Sequence, residues 1–596
     1  MIERFREIWL HDFEYVARPG EWPDVVCLVA KEMRSGRRIE LWQGEFTSTP
    51  PYPVTDPNVV FVNFAATAEC ACHLALGWPL PVNVLDLSPA FRNFINGKRT
   101  PEGKGLIGAL PYYGLSSIGS IQKDAMRDRI LRGPPFTAEE RKQILAYCGS
   151  DVDALARLLP KVLHDTPNLD VALHHGEFAA VSAVMEHNGV PIDMDTFPQL
   201  TDNTAWRSIR DAVVPQVDAQ YGVYVRSPRG DWTFNKARFA AYLTREGIIN
   251  SWPRTDTGEI SLRQKTFECM AKVYPQLESL KQLKHTRDKM RKVTLAVGRD
   301  GRNRTVLWPF QAKTSRTQPK ASKWIFSPAV WLRSLIKPGP GMAVAYIDYS
   351  SMEFLIAGSL SDGHCGDVNH MLDMYRSGDP YLAFAKRVGA APKWATKDSH
   401  EAVREKYKVM LLAVQYGMSE STLAALLGVP LMEAREMLAQ HRQLFGQYWK
   451  WSDDWVAAAM RDGTMWTAYG WACAVGIIEY NERTLRNWPI QATGADILRA
   501  ACIMAVRHGI KLLAPVHDAV LIEAPIERIE HDVAKMREIM RRASRAVLNR
   551  DATGTYELRT SATIVRYPDR YSDKRGKQMW EEVSALLAKT AAGQHG

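Results

Sequence analysis

The chain has 596 residues and a mass of 67.2 kDa, more than one compact core holds, which predicts roughly three or four domains. Its 46% hydrophobic and 24% charged content excludes a disordered or fibrous chain, and a formal net charge of +10 fits a polyanionic partner without requiring one. The 8 cysteines follow no repeating frame, and Cys70 and Cys72 lack a second pair, so neither a disulfide scaffold nor a zinc module is indicated.

The N-terminal stretch MIERFREIWLHDFE carries too many charges for a signal peptide. No apolar run of about 18 residues could cross a bilayer, so a soluble, cytoplasmic protein is expected. Residues 1–170 read as α/β, with strand-like VVCLVA and VVFVNF and an amphipathic RKQILAYCGSDVDALARLLPKVL. HDTPNLD (164–170) predicts a linker. From 171 the pattern turns helical, and EFAAVSAVMEHNGVPIDMDTF ends its periodic run at Gly-Val-Pro. Residues 260–300 carry Lys and Arg at helical spacing. MAVAYIDYSSMEFLIAGSL (342–360) reads as strand-rich, a long helical block covers 379–460, and APVHDAVLIEAP (514–525) reads as a strand pair.

Four groups of residues carry chemistry. Asp348 follows the apolar run AVAYI, and Asp518 lies between APVH and AVLI. Carboxylates on adjacent strands can hold two divalent cations about 4 Å apart, which activate a hydroxyl and neutralise a leaving oxygen; hard oxygen ligands suit magnesium. Arg404, Lys408, Leu412 and Tyr416 recur every four residues, so two cations able to grip a triphosphate share a helical stripe with an apolar-aromatic end. Asp12 and Glu14 share one face of a strand, and Tyr147 and Asp151 share one face of a helix. Acids with a tyrosine suit two-metal phosphodiester hydrolysis. Taken singly, an acid at a strand end is more often a turn or cap residue, and a lone D-x-E carries little weight.

These motifs carry a family resemblance. D-Y-S-S-M-E (348–353) resembles the first palm motif of family A DNA polymerases, the DNA polymerase I group. R-x3-K-x7-Y-G (Arg404 to Gly417) resembles the fingers-helix motif, V-H-D (516–518) the second palm motif, and T-S-R (314–316) the family's T-G-R segment. R-x3-N-x3-Q (Arg483, Asn487, Gln491) resembles the helix that touches template and primer terminus. All five stand in family order over roughly 171–596. The resemblance implies an α+β right-hand polymerase with an antiparallel palm sheet (about 311–365 and 480–596), a helical thumb (about 205–310) and helical fingers (about 366–479). Asp348 and Asp518 would be metal ligands. Arg404 and Lys408 would bind the incoming dNTP, and Lys408 would donate a proton to pyrophosphate. Leu412 would face the nucleotide, Tyr416 would stack near the nascent pair, and Glu353 would exclude a 2′-hydroxyl. Arg316, Arg483, Asn487, Gln491 and His517 would contact DNA, and the basic stretch 281–292 would grip duplex phosphate. Primer-template DNA and dNTPs are the implied partners, with two Mg2+ ions per site (Mn2+ can substitute) and a monomeric protein. Ala519, Leu412 and Ser351 depart from the family's usual Glu, aromatic and Gln.

D-x-E with Y-x3-D resembles the DEDD-type 3′–5′ exonucleases in their tyrosine variant, over about 1–165. It implies an RNase H-like α/β domain whose ions are held by Asp12, Glu14, Asp151 and a fourth acid, with Tyr147 orienting water. Glu69, after Asn63, is favoured for the fourth place over Asp86. A degenerate exonuclease and a single-subunit RNA polymerase-like enzyme are the alternatives. Glu353 stands against the second. With no 5′-nuclease segment ahead of residue 1, the layout resembles polymerases of bacteriophages or mobile elements.

Overall fold

The computed structural model describes residues 2–593 except 101, 117–119, 202, 229–231, 256–257, 290–293, 327–328, 365–367, 477–480 and 550–555. The first sheet contains β1 (Glu7–Val16), β2 (Asp24–Glu32), β3 (Arg38–Trp42), β4 (Val59–Asn63) and, after helix α1 (Ala66–Ala75), β5 (Val84–Asp86). Its order is β3-β2-β1-β4-β5. β1 runs antiparallel to β2 and parallel to β4. Strand periodicity sorts its side chains. Trp9 and Phe13 enter a core with Phe61 and Trp78. Ile8 and Leu10 enter another with Phe91 of α2 (Leu87–Ile95) and Val152 of α3 (Ala138–His164). Asp12 and Glu14 continue that second face. A capping box between Thr137 and Glu140 starts α3, which brings Tyr147, Cys148 and Asp151 against the sheet.

The predicted linker 164–170 is shorter than expected: α3 ends at His164, and α4 (Leu169–Asn188) starts at once, capped by the Asn168 side chain. Small residues let α4 approach α1 closely, Ala179, Ala180 and Ala183 lying against Ala66 and Cys70. The basic region folds as helices at 264–273 and 278–289; residues 290–292 of the stretch 281–292 lie outside the described residues.

The second sheet is built on β6 (Met342–Tyr349). Next come α5 (Met352–Ser361), α6 (Pro380–Arg387), α7 (Glu401–Gln415), a small hairpin of β7 (Thr464–Trp466) and β8 (Ala472–Ala474), and α8 (Glu482–Arg507). The sheet is completed by β9 (Leu512–Val516), β10 (Ala519–Pro525) and, after α9 (Ile529–Leu548), β11 (Thr560–Arg566). Its order is β9-β10-β6-β11, every pairing antiparallel. Ala343, Val344, Ala345 and Ile347 of β6 are wholly buried, as a central strand covered on both faces requires. The strand-rich reading of 342–360 needs correction. The strand ends at Tyr349, Ser351 adopts a left-handed φ of 53°, and MEFLIAGSLS is the helix α5. That segment is buried nearly all round, so its apolar run carries no period to tell helix from strand. Among the described residues no helix is long and apolar enough to cross a membrane.

Candidate active sites

Asp348 stands near the end of β6, paired with Ala519 on one side and Ser561 on the other. His517 and Asp518 form the two-residue connection from β9 to β10. Tight hairpin turns of this length need left-handed backbone, and His517 supplies it with φ 59°. The backbone N–H of Tyr349 donates to the carbonyl of Asp518 at 3.2 Å, locking the turn against β6. The two carboxyls come close enough to share a hydrogen bond. Burial first, and then the charge of Asp518, lifts the Asp348 pKa from 3.8 to about 8, opposed by the Lys408 ammonium. A cation placed between the two half-buried carboxyls would relieve the repulsion that raises Asp348.

Other sequence-predicted residues converge on the pair. Glu353, in the first turn of α5, meets Arg316 at 3.3 Å. Burial lifts its pKa, Arg316 opposes that, and Asp518 adds to it, so Glu353 stands near Asp518. Burial lowers the His517 pKa, with Asp518 opposing and Arg316 among the nearby cations. On α7, Lys408 lies 3.8 Å from Glu405, and Arg404 pairs with Asp379 and Glu405 while its guanidinium lies 5.5 Å from the Tyr381 ring centre. Leu412 packs against the core one turn further on, and Tyr416 caps the helix. Arg483, Asn487 and Gln491 repeat every four residues along α8, and the Asn487 side-chain oxygen is buried without a hydrogen-bond partner.

Two residues absent from the sequence reading belong to this region. Asp379 caps α6 through the N–H groups of Tyr381 and Leu382 and holds Arg404 with its other oxygen. Asp before Pro at a helix start was its visible signal. Arg499 is buried, paired with Asp496 at 2.7 Å, and donates to the Ser315 hydroxyl at 2.7 Å. Nothing in the sequence marks that contact.

The N-terminal acids gather as a second cluster. Ligand atoms of Asp12, Glu14 and Cys148 lie within 4.8 Å of one another. The Tyr147 hydroxyl is pushed up by burial and then by Glu14, Asp151 and Asp12, which places all four groups together. Glu69 is buried and accepts the Phe13 N–H at 2.9 Å. Burial and then Asp12 raise its pKa well above the carboxylate range, with Glu14 and Asp86 adding less. Asp86 is engaged elsewhere: its carboxylate accepts N–H groups from Ala65, Ala66 and Ser88 at 2.8–2.9 Å, joining the starts of α1 and α2. Cys148 was missed because a cysteine beside D-x-E carries no periodic signal.

Residues 325–553 match the sequence profile of DNA polymerase family A. This match covers less than half of the chain, and it includes the strand that carries Asp348 and the turn that carries Asp518. Among its relatives, DNA polymerase I, thermostable, from Thermus aquaticus is 26% identical over 212 residues, 34% of this chain and 25% of that protein. Its counterpart from Thermus thermophilus is 27% identical over 215 residues, again 34% and 25%. DNA polymerase I of Geobacillus stearothermophilus is 25% identical over 226 residues, 35% and 25%. The matched part is thus about a quarter of each relative's length. The fold resembles the POL domain of Pol1 from M. smegmatis, solved in complex with DNA primer-template and dNTP, with a TM-score of 0.64, 20% identity, and coverage of 94% of this chain and 95% of that one. The architecture is therefore the right-hand polymerase fold of that domain. Asp348, Glu353, Arg404, Lys408 and Asp518 all fall inside the family match.

Proposed function

We propose that the chain extends a DNA primer on a DNA template with deoxynucleoside triphosphates, and that Asp348 and Asp518 hold two magnesium ions for the purpose. The observation carrying this reading is the carboxyl pair itself, half-buried, sharing a hydrogen bond, and facing the Lys408 charge. Bound there, divalent ions would lower the pKa of the primer hydroxyl and neutralise the leaving oxygens. Arg404 and Lys408 bind the triphosphate, and Lys408 protonates the departing pyrophosphate. Glu353, fixed by Arg316, crowds the 2′ position of the incoming sugar. Leu412 and Tyr416 border the nascent pair. Arg316, Arg483, Asn487, Gln491 and His517 contact the primer-terminal duplex, which checks pair geometry rather than sequence. Primer extension tests the reading: Asp348→Ala and Asp518→Ala variants that extend as fast as the parent protein would overturn it. A single-subunit RNA polymerase is the rival, and equal incorporation of ribonucleotides by the parent protein would favour it.

The first domain supports a second activity. Its strand order and the gathering of Asp12, Glu14, Asp151 and Tyr147 favour an RNase H-like 3′–5′ exonuclease that removes misplaced primer ends. Glu69, beside Asp12, is the fourth acid, and Asp86 is a structural cap. A cleft of about 600 Å3 between the first domain and residues 304–311, lined in part by Tyr15, Arg18, Phe64, Arg92 and Lys104, offers aromatic and cationic groups to an unpaired strand. The test is digestion of a mismatched primer without dNTP. Undiminished digestion by an Asp12→Ala, Glu14→Ala protein would remove this assignment.

A further inference from the structure

The segment carrying Arg316 is strained and is held from outside. Trp308, Phe310 and Ser315 have φ of 48°, 60° and 62°, a left-handed conformation that non-glycine residues keep only where their surroundings impose it. Part of what imposes it here belongs to the first domain. The Asn96 side chain, at the C-terminal end of α2 and 4% exposed, donates one amide proton to the carbonyl of Lys313 and the other to that of Ala472, each at 2.7 Å. The Ala474 N–H returns a bond to the Asn96 carbonyl at 2.8 Å. Asn93, one turn earlier, donates to Gly470 and accepts from Ala472. The approach is close: a Cβ at Gly97, whose φ is 83°, would stand 2.1 Å from the Ala474 carbonyl oxygen. The Lys313 carbonyl also accepts the indole N–H groups of Trp471 and Trp488, at 3.0 and 2.9 Å, so three donors converge on a single oxygen. Three residues further on, Arg316 meets Glu353.

We propose that Asn96 of the first domain is a positioning residue for the polymerase site: it fixes the Lys313 carbonyl and thereby sets where Arg316 presents itself to the primer terminus. This rests on the reading of the palm as a primer-extending site. A buried amide that gives both protons to carbonyls cannot be truncated without leaving acceptors unsatisfied and the segment free to shift, and small displacements of a positioning group are costly to reaction rate.

The test is steady-state primer extension by the full chain carrying Asn96→Ala, Arg316→Ala, or both. Asn96→Ala should raise KM for primer-template about tenfold while leaving KM for dNTP within about twofold; the melting temperature falls as well, so the split between the two KM values, and not stability, is the readout. The double variant should be no worse than Arg316→Ala alone, because both changes remove one interaction. Additive losses, or a normal KM for primer-template in Asn96→Ala, overturn the proposal. If Arg316→Ala itself extends normally, the reading of the palm contact fails instead. Should Asn96→Ala not fold, Asn96→Gln, with the same donors on a longer arm, replaces it in the same cycle and is held to the same two results.

Discussion

The two carboxylate clusters are supported in opposite ways. In the palm, β6 is paired on both sides along its length, so the ladder to β10 and β11 fixes Asp348, and a two-residue turn fixes Asp518. In the first domain β1 outruns its neighbour: pairing with β4 stops at Leu10, and among the described residues no strand pairs with the edge beyond it. Side chains complete that edge. Asn63 donates to the carbonyl of His11 at 3.0 Å, and Glu69 accepts the Phe13 N–H. With the backbone ladder holding these strands, neither Asp348 nor Asp518 is needed to complete a sheet edge. The open edge of β1 gives Glu69 two tasks, holding the strand and placing a carboxyl beside Asp12.

The largest expected effects separate the two clusters. Asp348→Ala or Asp518→Ala should reduce primer extension by about 10^3-fold or more, since transition-state charge is then unsupported, while digestion of a single strand continues. Asp12→Ala with Glu14→Ala should do the reverse, with a loss of similar order in digestion and normal extension. Radiolabelled primer gels report both reactions from one sample. If either change abolishes both, the clusters are not independent.

Smaller effects belong to the residues that shape the palm site. Asp379→Ala frees Arg404 from the contact that orients it, and KM for dNTP should rise about tenfold with KM for primer-template unchanged. An unaltered KM for dNTP would show that Asp379 only caps α6. Glu353→Ala should raise ribonucleotide incorporation by about tenfold or more, as a steric and charged obstacle at the 2′ edge is removed; competition between rATP and dATP measures it.

What was legible in the sequence follows the same division. The palm acids announce themselves through local pattern: AVAYI before Asp348 and APVH before Asp518 are buried strands, and four-residue spacing along α7 and α8 places Arg404, Lys408, Gln491 and their neighbours. Period two likewise placed Asp12 and Glu14 on one face. Long-range contacts left no such trace. Whether Glu69 or Asp86 stands beside Asp12 depends on how α1 crosses the end of β1, and Arg499 reaches Ser315 across 184 positions. The helix α5 was taken for strand because burial on all sides erases periodicity.

The open edge of β1 gives a further comparison. Glu69→Gln keeps an oxygen for the Phe13 N–H but removes the carboxyl that could ionise beside Asp12 once a cation binds. It should lower digestion sharply and leave the melting temperature equal or higher. Asp86→Asn keeps volume but loses part of a carboxylate that serves three N–H groups, and should cost about 1–3 kcal/mol of stability with digestion retained. Reversed outcomes in calorimetry and digestion would exchange the two assignments.

The mildest test uses pH on the palm pair. In the metal-free protein Asp348 titrates at about 8 rather than 3.8. Between those values the folded protein holds a proton that the unfolded chain has released, so this group's contribution to stability falls as pH rises through the window. A divalent ion must displace that proton, so its affinity rises with pH and levels off above about 8. The melting temperature gained on adding magnesium should therefore be larger at about pH 8 than at about pH 6. Asp518→Asn removes the neighbouring charge that, after burial, raises Asp348, and should flatten the difference. The Asp12, Glu14 double variant should keep it, since that cluster lies in the other domain. A magnesium shift independent of pH in the parent protein would mean that the palm carboxyls do not share a proton, and the pair would then be held apart by its strands rather than by the ions.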